Sequence, residues 1–117
     1  MDYFEQDHPI MDYIRQALDL KYAFMNCNTQ PPGQVVQNHI DRNRSFVYKV
    51  VPDGNVSVDQ CWKYIVFLTD WEPGQVFMIG GSSYMKWEAG QTIKFPWFMH
   101  HATANAGWND RKILVIT

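Results

Sequence analysis

From Lys21 onward no stretch of the chain keeps helical spacing, and short apolar or β-branched runs alternate with turn residues. Strands with turn signals roughly 8–12 residues apart bury their apolar faces by stacking into a β-sandwich or closing into a barrel. The punctuation is explicit. Gln30-Pro31-Pro32-Gly33, Asp53-Gly54-Asn55, Pro73-Gly74 and Gly80-Gly81-Ser82-Ser83 are all turn sequences. Between them the sequence predicts strands over 21–26, 34–40, 61–69, 75–79, 84–87, 92–95, 101–105 and 112–117. The run from Cys61 to Thr69 is the strongest, and its near-continuous apolar character reads as burial on both faces. Its alternation puts Lys63, Ile65 and Phe67 on one face and Tyr64, Val66 and Leu68 on the other.

Only the start of the chain is helical in pattern. Pro9 fits a first helical turn, where its missing N–H costs little. Ile10, Tyr13, Ile14 and Leu18 follow at helical spacing, so one amphipathic helix is expected from Pro9 to about Leu20. The expected fold is therefore mainly β with one N-terminal helix, and 117 residues make one domain. The last strand runs to Thr117, which fits a trimmed chain as well as a complete one.

Composition removes several function classes. Ten basic and twelve acidic residues leave a net charge of −2, so no strong nucleic-acid binding is expected. A hydrophobic fraction of 46% is enough for a core and rules out wholesale disorder. No apolar run reaches the roughly 20 residues of a membrane-spanning helix. Met1 to Gln6 carries acid and no basic region, so no secretory signal is read there and a cytoplasmic location is expected. Cys27 and Cys61 make neither a disulfide scaffold nor a zinc cage, and are expected as buried thiols. Five tryptophans in so small a chain hint at an aromatic-walled cavity. Trp62, Trp71, Trp87, Trp97 and Phe98 are the candidates for its walls and rim, with plain sandwich core as the other reading.

The chemistry concentrates on histidine. His39-Ile40-Asp41 is an H-x-D triplet, and on a strand positions i and i+2 share a face. Imidazole and carboxylate can then reach one cation together. A surface turn holding a His and an Asp is the plainer reading of the triplet alone. The pair His100-His101 offers a third ligand, and two His with one carboxylate is a donor set for non-haem Fe(II) with open coordination positions. Arg111 follows, and Asn105-Ala106-Gly107 is a hairpin-like turn that would return it beside the His101 strand. A guanidinium in an apolar barrel wants a bidentate carboxylate, from the protein or from a diacid ligand. The alternative is that Arg111 snorkels to solvent or pairs with Asp110. His8 fits no motif and is expected at the surface.

The layout His39-x-Asp41 … His101 … Arg111 resembles the 2-oxoglutarate/Fe(II)-dependent oxygenases. Tyr64 to Gly74 (Y-I-V-F-L-T-D-W-E-P-G) looks like the central strand and turn of their short bacterial and phage members. Trp87-x-Ala-Gly90 looks like the next turn, and His101-x-x-x-Asn105-x-Gly107-x-x-x-Arg111-x-x-Leu114 like the closing hairpin. The resemblance spans roughly Gly33 to Thr117. It implies a double-stranded β-helix, or jelly roll, with cupin-like architecture. It also implies Fe(II) held by His39, Asp41 and His101, and 2-oxoglutarate anchored at its far carboxylate by Arg111. The family spacing of His, three residues, then Asn selects His101 over His100. Asn105 is a candidate for orienting a ligand or shaping the turn, and Lys63 for holding a carboxylate or meeting solvent. Family members often set an aromatic residue near the Phe67 position against 2-oxoglutarate. Arg42 and Arg44 are candidates for the cavity mouth.

The activity implied is hydroxylation of a C–H bond in a small molecule or protein side chain. It consumes O2 and decarboxylates 2-oxoglutarate to succinate and CO2. So short a chain leaves room for a homo-oligomer that completes the pocket. The alternative is a cupin-like metal-binding protein, or a structural jelly roll, without oxygenase activity. Against a cupin, no H-x-H with a downstream Glu is present.

Overall fold

The computed structural model describes residues 2–41 and 60–117. The predicted Asp53-Gly54-Asn55 turn, Arg42 and Arg44 lie outside the described residues. Among the described residues, nine strands and one helix follow in the order β1 (Asp2–Tyr3), α1 (Pro9–Ala17), β2 (Met25–Gln30), β3 (Val35–His39), β4 (Trp62–Phe67), β5 (Gln75–Ile79), β6 (Ser82–Tyr84), β7 (Thr92–Pro96), β8 (His101–Asn105) and β9 (Arg111–Ile116). They form two antiparallel sheets, ordered β1-β2-β9-β4-β7 and β3-β8-β5-β6. Among the described residues, no helix is long and apolar enough to cross a membrane.

The helix starts as its sequence predicts. His8 caps it, its Nδ1 accepting from the Ile10 N–H at 3.1 Å, and Pro9 occupies the first turn. It ends at Ala17, short of Leu20, because Asp19 turns the chain into the left-handed region at φ 54°. Its buried stripe is Met11 with Ile10, Ile14 and Leu18; Tyr13, placed on that stripe by spacing, is exposed instead. The stripe covers the outer face of the five-stranded sheet, against Met25, Tyr64, Val66, Leu114 and Ile116. This explains the double-sided burial of β4: Tyr64 and Val66 meet the helix, while Lys63, Ile65 and Phe67 face the opposite sheet.

Between the sheets, Ile65, Phe67, Phe77, Ile79, Trp87, Phe95, Ile113 and Val115 form the core. Phe67 stacks on Trp87 with ring centroids 4.2 Å apart, and meets Phe77 edge-on. The first strand predicted, over 21–26, forms four residues later as β2, and it carries the turn residue Gln30 inside the sheet. The strand expected over 84–87 forms earlier, as β6, because Gly80 alone takes the left-handed turn and Ser82 and Ser83 pair with β5. Trp87, outside any strand, is buried, its indole N–H donating to the Thr69 carbonyl at 3.1 Å.

The Pro73-Gly74 turn locks onto the β8–β9 hairpin. Gly74 has φ +97°, and an added Cβ would lie 2.6 Å from the Ala106 carbonyl carbon. Gly74→Ala therefore combines left-handed strain with a backbone collision. It is expected to cost about 3 kcal/mol of stability, read as a lower urea midpoint.

Candidate metal centre

β3 and β8 lie side by side with His39 opposite His101. A register shift between Val36 and His39 matters here. The two positions differ by an odd number, so a regular strand would send them to opposite faces; the irregularity turns both toward the same cavity. Asp41, just beyond β3, completes the group. Its Oδ1 lies 3.1 Å from His39 Nε2 and its Oδ2 lies 3.4 Å from His101 Nε2. One ligand atom from each of the three residues falls within 4.8 Å of the others. His101 is buried and lines the cavity, whereas His100 is exposed and does not line it.

Both rings are oriented from behind. His39 Nδ1 lies 2.6 Å from the Gln37 carbonyl, and His101 Nδ1 lies 3.2 Å from the Met99 carbonyl. A carbonyl only accepts, so each Nδ1 carries the proton and each Nε2 presents its lone pair toward Asp41. Two lone pairs facing a carboxylate at 3.1 and 3.4 Å repel unless a cation sits among them. That cation is a shared proton or a metal ion. Burial alone would raise the Asp41 pKa. With the shared proton in place, the hydrogen bond from His101 and the charges of Lys63 and His101 outweigh burial and hold the carboxyl well below the usual range. Asp41 is thus ionised and available as a ligand.

Lys63 is buried rather than solvated. Its Nζ lies 3.1 Å from Asp41 Oδ2 and donates to Thr117 Oγ1 at 2.8 Å. Beside it Cys61 is fully buried, and desolvation pushes its thiol up to about 11; Cys27 is half-buried, and both are free.

Arg111 opens β9 and is 3% exposed. Its Nε and Nη1 are buried with no hydrogen-bond partner among the described residues, and its Cζ lies 5.5 Å from the Phe77 ring centre. It neither snorkels nor pairs with Asp110. Burial pushes the guanidinium down to about 10. It shares one cavity of about 480 Å³ with His39, Asp41, Lys63 and His101. The levels are set by register: Arg111 pairs with Gln30, whose Nε2 donates to Thr103 Oγ1 at 2.9 Å. Thr103 is two residues along β8 from His101, a step of about 7 Å.

Asn105 does not line this cavity. Its Nδ2 donates to the Gln30 and Asn109 carbonyls at 2.8 and 2.9 Å, and its Oδ1 accepts from the Gly107 N–H. It shapes the turn that delivers Arg111. Glu72 pins the same turn, accepting from the Trp108 and Asn109 N–H groups, both at 2.7 Å, and from Asn109 Nδ2. The Asn109 hydrogen bonds hold the Glu72 carboxyl below its usual range. A depressed acid contributes stability above its unfolded pKa of about 4.3 and loses it as pH falls through the lower folded value. Glu72→Gln is expected to flatten that acid limb in a pH series of thermal melts.

Among the described residues, no aromatic side chain other than the two imidazoles lines the cavity. Phe67, Trp71 and Trp87 belong to the core, Trp97 packs by Cys61, and Trp62 and Phe98 are exposed. None of them touches the cavity. Its wall is amide and aliphatic: Asn26, Asn28 and Gln30 of β2, with Ile65, Ile113 and Val115. The amides were legible as an alternation, N-x-N-x-Q, but Gln30 sits against Pro31 and reads as turn.

No protein-family model matches the chain, and no curated protein matches it. Solved structures do. The chain superposes on a predicted oxalate decarboxylase from Thermotoga maritima with TM-score 0.56 and 17% identity, covering 87% of this chain and 70% of that one. A cupin-2 domain protein from Shewanella frigidimarina gives TM-score 0.52 at 8% identity, with coverage of 84% and 72%. An RmlC-like cupin from Methanocaldococcus jannaschii, described as a double-stranded β-helix, gives 0.51 at 10%, with coverage of 81% and 68%. The fold is the cupin double-stranded β-helix. At these identities the likeness concerns the cupin fold alone. It bears out the double-stranded β-helix that the resemblance implied, and the neighbours named here are cupins. Within the cupin fold, this chain places a His-Asp-His group where its two sheets open into the cavity.

Proposed function

We propose that the protein is a non-haem Fe(II)- and 2-oxoglutarate-dependent dioxygenase that hydroxylates a C–H bond. The observation that carries the reading is Arg111: a buried guanidinium whose Nε and Nη1 have no partner among the described residues, on the wall of the cavity that holds His39, Asp41 and His101. Burying an unpaired charge is costly, and a carboxylate ligand removes that cost. The donor set fits the metal. Two neutral imidazoles and one carboxylate suit divalent iron and leave coordination positions for a chelating cosubstrate and O2. The step of about 7 Å between the His101 and Thr103 levels suits a five-carbon diacid spanning from the metal ligands to Arg111.

When bound, Fe(II) and 2-oxoglutarate supply the oxidising chemistry, with O2 consumed and succinate and CO2 released. The chain's residues do the positioning. The Gln37 and Met99 carbonyls fix the two imidazoles, which matters because outer partners set ligand orientation. Lys63 holds the Asp41 Oδ2 side and offers positive charge beside the ligands. The aliphatic wall of Ile65, Ile113 and Val115 limits water on the five-stranded side.

The test is turnover. Fe(II)-loaded protein in air is expected to convert 2-oxoglutarate to succinate, and metal-free protein is not. Equal succinate from both would count against the reading. The cupin neighbours favour a second reading, in which Arg111 holds the carboxylate of the substrate itself. The predicted oxalate decarboxylase among those neighbours names one such acid. Formate from oxalate, with no succinate from 2-oxoglutarate, would select it.

A further inference from the structure

The wall opposite the metal ligands carries a feature to which the proposed function assigns no role. Asn26, Asn28 and Gln30 alternate along β2 and line the cavity as a row of side-chain amides. By register they face Val115, Ile113 and Arg111 in turn, so the row runs from the Arg111 level toward the Lys63 end. Two of their oxygens, Asn26 Oδ1 and Gln30 Oε1, are buried with no hydrogen-bond partner among the described residues. Gln30 is 2% exposed, and its Nε2 is already committed to the Gln34 carbonyl and Thr103 Oγ1. The buried atoms of the row without a partner among the described residues are thus both acceptors.

We infer that this row is the binding wall for the substrate, and that the substrate is a neutral molecule bearing amide N–H groups. The inference rests on the assignment of Arg111 to the cosubstrate carboxylate. With Arg111 so used and Lys63 on Asp41, the described wall has no cation to offer an acidic substrate. Asp41 is its single described carboxylate and belongs to the metal ligands, so a cationic substrate gains nothing either. Buried acceptors are satisfied by N–H or O–H donors. The flanks decide between these. Ile65, Ile113 and Val115 sit beside the row. A polyol would press hydroxyls against them unpaired, whereas an amide with aliphatic substituents presents its donor to Asn26 and its carbons to the flanks. An amide also returns the interaction, its own carbonyl accepting from a side-chain NH2 group.

The experiment follows the side-chain NH2 resonances of Asn26, Asn28 and Gln30 by NMR while metal-free protein is titrated. The probes are N-acetyl-leucine N-methylamide, erythritol and n-butylamine, none of which carries a carboxylate for Arg111. The amide is expected to shift the Asn26 and Gln30 signals saturably, at least tenfold more tightly than the other two. Asn26→Leu is expected to weaken the amide at least tenfold, while Asn26→Asp, which keeps the acceptor, holds it within a few-fold. No saturable shift with the amide, or equal shifts from erythritol or n-butylamine, would overturn the inference. So would an Asn26→Leu variant that binds the amide as the parent does. The titration needs neither iron nor 2-oxoglutarate, so its failure is separable from a failure to form succinate.

Discussion

Asp41→Ala is expected to weaken divalent-metal binding more than about a hundredfold, beyond the 10–100-fold that outer-sphere partners typically command. Asp41 is the one anionic donor of the group, and both its oxygens face a ring nitrogen. Without it, His39 and His101 are two neutral donors whose ring centres lie 4.3 Å apart. Losing the carboxylate also strips Lys63 of the acid at 3.1 Å from its Nζ, and breaking such a pair destabilises the fold. Asp41→Asn separates the two effects. It keeps the shape and a hydrogen-bond acceptor for Lys63 but not the charge, so it should melt near the parent and still lose metal. Competition against a metallochromic chelator gives the affinity. A variant that keeps parental affinity would remove Asp41 from the ligand set.

Arg111→Met should do two opposite things. Affinity for 2-oxoglutarate should fall by about a hundredfold or more, the scale of removing one partner from a buried charge pair. Stability should rise, by about 1–2 kcal/mol or roughly 3–8 °C in Tm, because a buried charge with no ion-pair partner among the described residues is replaced by an apolar side chain of similar length. The attraction between the guanidinium and the Phe77 face offsets part of that gain. The pH sign is fixed by the direction of the shift. Burial lowers the folded pKa to about 10, so above it the unfolded chain binds more protons and stability rises with pH; below it the burial cost is fully present. At neutral pH the gain from Met is therefore whole. A structural arginine gives the reverse pattern: lower Tm, with unchanged cosubstrate affinity. Metal affinity should be spared in either case.

Much of this was visible before the fold. The alternation of β4 split its residues correctly between helix and core, because period-two patterning survives burial on both faces. His39 and Asp41 were picked as an i, i+2 pair and do converge. The reason is only partly the one the sequence offered, since the irregularity between Val36 and His39 aims the histidine and leaves no mark in the residues. The tryptophans misled. Their number signals burial somewhere, but ring direction depends on loop paths such as the one that folds Trp87 onto Phe67. Lys63 read as a solvated side chain because its acid lies on a distant segment. The amide row was hidden for a related reason: Gln30 abuts a Pro-Pro-Gly turn, and only pairing with β9 shows that the strand runs through it.

The central claim is that His39, Asp41 and His101 hold iron in the same cavity in which Arg111 holds a diacid. Anaerobic addition of Fe(II) and then 2-oxoglutarate tests it most directly, read by visible absorption. The account predicts a weak charge-transfer band that appears only with both components, is absent in Asp41→Ala, and in Arg111→Met needs about a hundredfold more 2-oxoglutarate. Tight iron binding with no band at saturating 2-oxoglutarate would contradict it.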